Sequence, residues 1–464
     1  MTYRIEKDSL GEVKVPEDKL YGAQTARAVK NFPISKEKIP VEIIRAYGIV
    51  KKAAVLANYE QDLISKKKKN YIAKATEELI AGELDEHFPI SLWQTGSGTQ
   101  TNMNVNEVLA NRISQLAGEE TGSKKPVHPN DDVNMSQSSN DTFPTAMAVA
   151  TVLKVEDFLL PILADLKTEI EMKAEKYEDL IKVGRTHLMD ATPISFAQEL
   201  SAYKAQLTDI ISMLEDSLKY LKKLPLGGTA VGTALNTKKG FDKLAVKYIS
   251  EQTGKEFRAA ADKSAGIAAH DSFVNLSGVL KTAASFAMKL ANDTRWLASG
   301  PRCGIGEISI PKNEPGSSIM PGKVNPTQAE ALFQAAAQVM ANDTAVNIGG
   351  GSGNFQLNVA KPLIIDNILQ SIRLLGDALD SYTERCFKGL EANEAKMTEY
   401  LDKSLMLVTA LNPIIGYDKA AEIAQKAFKE NLSLKKAAAE LGYLTEEEFD
   451  KYIDPAEMIE ANID

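Results

Sequence analysis

Five long segments with few helix breakers dominate this sequence and limit the folds open to it. In the second segment Leu200, Leu207, Leu214 and Leu221 recur every seven residues. Such a stripe is typical of a long helix packed against other helices at a shallow angle. The sequence therefore predicts a mainly α fold with a core bundle of five long helices. These segments lie near residues 143–180, 194–224, 267–299, 327–348 and 361–390, and Pro161 predicts a kink or a split in the first.

Shorter helical patterns flank the predicted bundle on both sides. One of them begins at Asn104, with Glu107 three residues later in the arrangement of a capping box. The organisation indicates a small mixed, mostly helical N-terminal part (1–137), the long-helix core (138–392) and a small helical C-terminal part (393–464). The other short helices are predicted over 41–58, 68–81, 417–430 and 445–453.

Composition excludes several classes of function. The formal charge of −9 argues against general nucleic-acid binding, because such binding depends on neutralising phosphates. No stretch approaches the roughly 18 apolar residues of a membrane span, so no membrane association is expected. Two cysteines cannot build a disulfide framework, and the acidic N-terminal segment resembles neither a secretory signal nor a transit peptide. We therefore expect a cytoplasmic protein.

Polar, turn-forming clusters interrupt the helical patterns at four places, and the last is the most informative. Lys323 and Asn325 precede Pro326, which is favoured at the first position of a helix. Asn325 is then the natural N-cap, and free N–H groups beside a lysine would attract an anion. The spacing does not fit a nucleotide phosphate loop. An anion site and a plain structural loop both remain open. The clusters span residues 95–102, 128–140, 184–187 and 316–325.

The second cluster repeats this arrangement. A long helix is predicted to begin near Asp141, with Pro144 in its first turn. The residues directly before it are Ser138, Ser139 and Asn140. Hydroxyl and N–H donors would converge there, either on an anion or merely as redundant caps of the helix.

Histidine is scarce, which makes each one easy to assess. His187, in the third cluster, is the best candidate for a general acid or base. The four histidines do not pair at ligand spacing with one another or with cysteine, so no metal site is expected. His87 and His270 are interpreted as ordinary surface or helix residues. The glycines of 349–353 favour a close helix approach or a flexible turn over a dinucleotide-binding loop.

These motifs carry a family resemblance. The string Gly-Ser-Ser-Ile-Met-Pro-Gly-Lys-Val-Asn-Pro at 316–326 resembles the signature loop of the fumarase/aspartase superfamily. The strings at 128–131, 136–141, 184–188 and 300–306 are similar to its class II fumarate hydratase branch, and the similarity extends nearly end to end. His187 favours that branch, since the aspartase branch usually has glutamine there. Met189 and Lys125 depart from the family pattern, which usually has glutamine and arginine at those positions.

The resemblance implies reversible hydration of fumarate to L-malate, a reaction of the tricarboxylic acid cycle, without metal or organic cofactor. It implies Ser317 as the base for the carbon-bound proton, and His187, oriented by Glu330, as the group acting on the water or hydroxyl. It also implies a secondary dicarboxylate site made by Lys125, His128, Pro129, Asn130 and Asp131. The implied substrate contacts are Ser97, Gly98, Thr99, Ser138, Ser139, Asn140, Thr186, Ser318, Lys323, Val324 and Asn325.

The resemblance further implies a homotetramer in which three subunits build each pocket, which agrees with the long apolar stripes. Two alternatives remain at this point. The chain could be an aspartate ammonia-lyase of the same superfamily, or a non-catalytic oligomeric scaffold.

Overall fold

The structure, a computed structural model, describes residues 2–461 and is mainly α, as the sequence predicts. The helices are α1 (Ala23–Asn31), α2 (Val41–Glu60), α3 (Lys66–Ala81), α4 (Thr99–Ala117), α5 (Ser139–Lys154), α6 (Leu160–Lys176), α7 (Phe196–Leu221), α8 (Phe241–Thr253), α9 (Lys263–Ala268), α10 (Asp271–Leu297), α11 (Thr327–Gly350), α12 (Lys361–Tyr382), α13 (Glu394–Lys403), α14 (Asn412–Ile415), α15 (Tyr417–Glu430), α16 (Leu434–Glu440) and α17 (Glu446–Tyr452).

Within the described residues, each strand pairs with one other strand. Antiparallel pairs join β1 with β2, β3 with β4 and β7 with β8, whereas β5 and β6 are parallel. The strands are β1 (Tyr3–Asp8), β2 (Gly11–Pro16), β3 (Ile181–Thr186), β4 (Met189–Ser195), β5 (Lys223–Leu224), β6 (Arg258–Ala259), β7 (Ile308–Ser309) and β8 (Glu391–Ala392).

The five predicted long segments are helical, but the first of them is divided. One turn of π-helix, Val155–Leu159, separates α5 from α6 and ends just before Pro161. Proline has no N–H to donate to the carbonyl four residues earlier, so the regular hydrogen-bond ladder cannot continue there. The heptad leucines of α7 are all buried, which confirms that this stripe faces the core.

The predicted start of α4 is wrong by five residues. The helix begins at Thr99, so Asn104 lies in its interior and Glu107 closes no capping box with it. The Glu107 carboxylate instead accepts hydrogen bonds from the backbone N–H groups of Gly22, Gln24 and Thr25, at the start of α1. A distant carboxylate thus caps α1, a partnership that local sequence cannot indicate.

Two compact units make up the chain, and each combines three segments. The first unit contains Met1–Pro161, Ile210–Ala284 and Ala335–Gly376, and the second contains Ile162–Asp209, Ser285–Gln334 and Asp377–Asp464. The division of the sequence at residues 137 and 392 stays a prediction.

In the first unit, α2 packs against α3, α5 and α8. The predicted close approach at the glycine run is also found here, because a Cβ on Gly350 would lie 2.3 Å from Val274 Cγ2. A Cβ on Gly349 would lie 2.8 Å from Ile364 Cγ1. These glycines therefore let α11 approach its neighbours in this unit closely.

In the second unit, the tail helices form a compact core with the β3–β4 hairpin. Val183 of β3 shares a buried apolar cluster with Leu401, Leu411, Ile423 and Ala437. The predicted tail helices are present, with α15 at Tyr417–Glu430 and α17 directly after its cap Thr445. Among the residues described, no helix has the length and apolar character needed to cross a membrane.

Candidate active site

The signature loop lies in the second unit and is closed by its own hydrogen bonds. The Gly316 N–H donates to the Lys323 carbonyl at 2.8 Å, and the Asn325 side-chain amide donates to the Gly316 carbonyl at 2.6 Å. Gly322 has a positive φ of 81°, which glycine adopts at little cost. The loop is therefore a closed turn leading into α11.

Ser317 directly follows Gly316 at the start of that turn, and its side chain is held by the loop backbone. Its hydroxyl oxygen accepts hydrogen bonds from the backbone N–H groups of Ile319 at 3.2 Å and Met320 at 3.0 Å. Two amide donors on one hydroxyl oxygen would stabilise negative charge on that oxygen. This arrangement suits a serine that must act as a base, whereas the neighbouring Ser318 is exposed.

Lys323 and Asn325 are paired, but Asn325 is not the cap of α11. The ammonium of Lys323 donates to the Asn325 side-chain oxygen. Helix α11 begins at Thr327, and the Glu330 N–H donates to the Pro326 carbonyl at 3.1 Å. The predicted N-cap role of Asn325 is therefore wrong, because closing the loop occupies its side chain. Its amide still lies beside the lysine charge.

Glu330 lies in the first turn of α11, and its side chain is exposed. It borders a cleft of about 790 Å³ within the second unit, which is also lined by Leu188, Lys323, Val324 and Asn325. The cleft thus brings several of the predicted contacts together with the lysine charge.

His187 lies at the tip of the β3–β4 hairpin, directly after Thr186. His187 and Leu188 are the two turn residues, with φ values of 57° and 63°. Positive φ at both central positions defines a type I′ turn, which matches the twist of paired strands. Gly184 is required below it, since a Cβ there would lie 2.6 Å from the Thr192 carbonyl oxygen. The hairpin presents the imidazole to solvent in the isolated chain.

His187 and Glu330 belong to the same unit but form no hydrogen bond or ion pair with each other within residues 2–461. Apolar side chains beside both site segments are strongly exposed, Ile319 at 83% and Leu188 at 67%. Exposed apolar groups next to polar functional groups are typical of surfaces covered by another chain.

A buried ion network supports the hairpin, and sequence reasoning did not identify it. The Glu307 carboxylate is fully buried and receives two hydrogen bonds of 2.9 Å from the Arg185 guanidinium. The Lys182 ammonium lies 2.9 Å from the same carboxylate and 2.6 Å from Glu199. Arg185 is two residues from His187, so this network holds the base of the turn that carries the imidazole.

The predicted hydroxyl groups of the first unit do come together. The Thr99 hydroxyl lies 2.8 Å from that of Ser97 and 2.8 Å from that of Ser139. Ser138 caps α5, while the Asn140 side chain donates to the Ala230 carbonyl at 2.9 Å. The chain of hydroxyls therefore joins the first residues of α4 and α5.

Close packing brings these two helix N-termini together. Gly98, which precedes α4, has a φ of 77°, and a Cβ there would lie 2.0 Å from the Phe143 ring of α5. Only glycine fits this position. Helix N-termini carry partial positive charge and free N–H groups, so this cluster is chemically suited to a carboxylate.

The predicted secondary-site residues also lie in the first unit. The His128 Nδ1 atom accepts hydrogen bonds from the backbone N–H groups of Asn130 at 3.2 Å and Asp131 at 3.1 Å. His128, Pro129 and Asn130 line a cavity of about 400 Å³, and Lys125 is exposed. Asn130 also borders a separate cleft of about 310 Å³ that contains Ser138.

His87 and His270 are interpreted from the sequence as surface or helix residues. Both side chains are buried, so the surface location is wrong. The His87 Nδ1 atom accepts a hydrogen bond from the Leu20 N–H at 3.3 Å. Burial lowers the pKa of both side chains, that of His270 to about 3. Neither histidine is therefore expected to carry a charge at neutral pH.

Comparison with known proteins agrees with this architecture. Residues 11–341 match the lyase family, and residues 407–460 match the fumarase C C-terminus family. The chain is 56% identical to the class II fumarate hydratase of Thermosynechococcus vestitus, over 97% of this chain and 96% of the relative. It is 54% identical to the mitochondrial fumarate hydratase of Rhizopus oryzae, over 99% and 93%.

Among solved structures, the class II fumarase of Schistosoma mansoni superposes with a TM-score of 0.97 at 42% identity. The match covers 98% of this chain and 99% of that one. Fold and site together therefore define a lyase. The chain belongs to the class II fumarate hydratase family, which confirms the family resemblance seen in the sequence.

Proposed function

We propose that the protein catalyses the reversible addition of water to fumarate, giving L-malate, without a metal or organic cofactor. The observation that carries this proposal is the Ser317 hydroxyl oxygen, which accepts two backbone N–H bonds in the loop that also contains Lys323 and Asn325. The close similarity to proteins named fumarate hydratase supports the choice of substrate.

In the direction of dehydration, the difficult step is removal of a proton from the carbon beside a carboxylate. Ser317 takes this proton, and the electron pair left on carbon passes into the neighbouring carboxylate, giving an aci-carboxylate with two negative charges. A serine oxygen can accept the proton only if its anionic form is stabilised. The Ile319 and Met320 amides provide that stabilisation.

Lys323 and Asn325 bind the carboxylate that becomes the aci-carboxylate. An ammonium group and an amide donor placed before reaction stabilise the charge that develops in the transition state. Ser318 and Val324, through the loop backbone, complete this end of the pocket.

The second substrate carboxylate binds to Thr99, Ser138, Ser139 and Asn140, with Ser97 and Gly98 shaping the turn before them. Its charge stays constant during the reaction. This end of the pocket therefore contributes to binding and orientation rather than to the chemical step.

His187 completes the reaction by protonating the departing hydroxyl, which leaves as water, and the reverse step generates hydroxide for hydration. Thr186 adds a hydrogen-bond donor beside it, and Glu330 orients the ring.

A secondary dicarboxylate site lies outside this pocket. It is formed by Lys125, His128, Pro129, Asn130 and Asp131.

Each pocket is assembled from three subunits of a homotetramer. The exposed apolar side chains beside Ser317 and His187 support burial of these segments by partner subunits.

The two cysteines support a location in the cytoplasm. Cys303 and Cys386 are free thiols, as is common in a reducing compartment.

Mixed tetramers provide a direct test of shared pockets. Two inactive variants, Ser317→Ala and His187→Asn, are co-expressed with different affinity tags and purified through both tags. If the two groups of one pocket come from different subunits, random mixing restores about a quarter of the pockets. Fumarate absorbance with malate as substrate measures the recovered activity, and doubly tagged wild-type tetramers set the reference. Activity no greater than that of the single variants would show that one chain supplies both groups.

The nature of the products separates the proposed function from its two alternatives. The wild-type protein incubated with fumarate should give L-malate, with no aspartate when ammonium is added and no loss of rate with a chelator. Chromatography of the products measures this. Formation of aspartate would identify an ammonia-lyase, and an absence of turnover would identify a scaffold. Inhibition by the chelator, reversed by a metal, would contradict the cofactor-free mechanism.

A further inference from the structure

A buried lysine in the first unit is not part of the proposed chemistry, yet it connects the segments that carry the carboxylate-binding hydroxyls. Lys51, in the middle of α2, has no exposed surface. Its ammonium donates to the side-chain oxygens of Asn102 at 2.8 Å, Asn134 at 3.0 Å and Gln137 at 3.0 Å. All three N–H groups are therefore used, and each partner is a neutral amide.

The partners of Lys51 place it beneath both helix N-termini. Asn102 lies one turn into α4, three residues after Thr99, and Gln137 directly precedes the cap Ser138 of α5. The amides also bind one another, since the Asn102 amide donates to the Asn134 oxygen at 3.1 Å. One ammonium group thus ties the start of α4 to the segment that leads into α5.

We propose that Lys51 is a positioning residue whose buried positive charge makes this end of the pocket selective for a doubly charged dicarboxylate. It does so by fixing the Asn102 and Gln137 amides beneath the hydroxyl cluster and by adding a full charge to the partial charges of the two helix N-termini. This inference rests on the proposed function.

The nearest acidic group does not cancel this role through an ion pair. Asp141 is also buried, but its carboxylate accepts the backbone N–H groups of Ser138, Gly227 and Thr229, each at 2.9 Å. In the part of the chain that the structure describes, its charge acts on Lys51 only at longer range, without an ion pair. Burial lowers the pKa of Lys51 to about 7, and a dianion bound nearby would favour its charged form.

The test compares two competitive inhibitors that differ by one charge, succinate and its monoamide, on the variant Lys51→Met. A charge about 10 Å from another, at an effective dielectric constant of about 20, changes binding by roughly tenfold. We therefore expect the inhibition constant of succinate to rise about tenfold. That of the monoamide should rise less than about threefold, because its neutral end can face this site.

Steady-state kinetics of the Lys51→Met variant should show a larger change in KM than in kcat. The carboxylate at this end keeps its charge, so KM for fumarate should rise about tenfold while kcat changes less than about threefold. Lys52→Met is the matched control, because Lys52 is the next residue of α2 and binds Glu77 at 2.8 Å. It removes the same formal charge and should leave both inhibition constants unchanged.

Lys51→Gln is a second neutral variant, which keeps a donor for the amide oxygens and gives the same comparison if the methionine variant does not fold. Lys51→Arg, which retains the charge, should retain the preference for succinate. An equal loss of affinity for succinate and for its monoamide, or a fall in kcat with no change in KM, would overturn the inference. Lys51 would then be a purely structural residue. The proposed function fails separately, if the wild-type protein does not hydrate fumarate.

Discussion

Replacing Ser317 with alanine should lower kcat by at least about 10³-fold and leave the oligomeric state unchanged, because it removes the group proposed to take the carbon-bound proton. Loss of this oxygen affects the transition state more than substrate binding, so KM should change much less than kcat. The decrease in fumarate absorbance during hydration measures the rate, and size-exclusion chromatography measures the assembly. His187→Asn should likewise lose most of its turnover.

The neighbouring hydroxyl offers a matched control. Ser318 follows Ser317 in the same loop but is exposed, whereas the Ser317 oxygen accepts the two loop amides. Ser318→Ala should therefore lower kcat less than about tenfold. Equal losses in the two serine variants, or full activity of both Ser317→Ala and His187→Asn, would show that the proton acceptor lies elsewhere.

Replacing Glu307 with alanine should destabilise the protein by about 3–5 kcal/mol, because it leaves one buried and one partly buried cation without their shared partner. The side chains affected are Lys182 and Arg185, which both lie within 2.9 Å of the carboxylate. A lower midpoint of thermal unfolding, measured at one fixed protein concentration, reports the loss. The fraction that remains folded should also turn over more slowly, because Arg185 supports the hairpin turn that carries His187.

Glu171→Ala is the control for this effect within the same unit. Glu171 pairs with Lys204 at 3.0 Å, and both side chains are partly exposed. Exposed pairs contribute little, since water screens them. Its unfolding midpoint and its activity should therefore stay near those of the wild-type protein. A Glu307→Ala variant as stable and as active as the Glu171→Ala variant would show that the buried network is dispensable.

Helix α2 and the broken α5–α6 pair show what local sequence can predict. The predicted helix over 41–58 is found as Val41–Glu60, and the interruption near Pro161 is found as Val155–Leu159. Apolar periodicity and the missing proline N–H act within one or two turns of helix, so the evidence for them lies in neighbouring residues.

Helix α4 and the β3–β4 hairpin show where local sequence fails. The polar turn Thr99–Asn102 was not predicted to be helical, because the buried groups that satisfy its side chains, such as Lys51, come from elsewhere in the chain. The hairpin was missed because its turn residues, His187 and Leu188, lack the asparagine or glycine typical of positive φ. Packing of the strands against the tail helices stabilises the turn instead.

The short motifs and the family resemblance they carry single out Ser317, Lys323 and His187 as the groups proposed to act, and the periodic leucines predict a fold of long helices. Only the tertiary structure decided how those groups are supported. Glu307 lies 122 residues from Arg185, and Lys51 lies 86 residues from Gln137. A capping or periodic preference involves neighbouring residues, whereas the partner of a buried charge depends on which distant segments pack together.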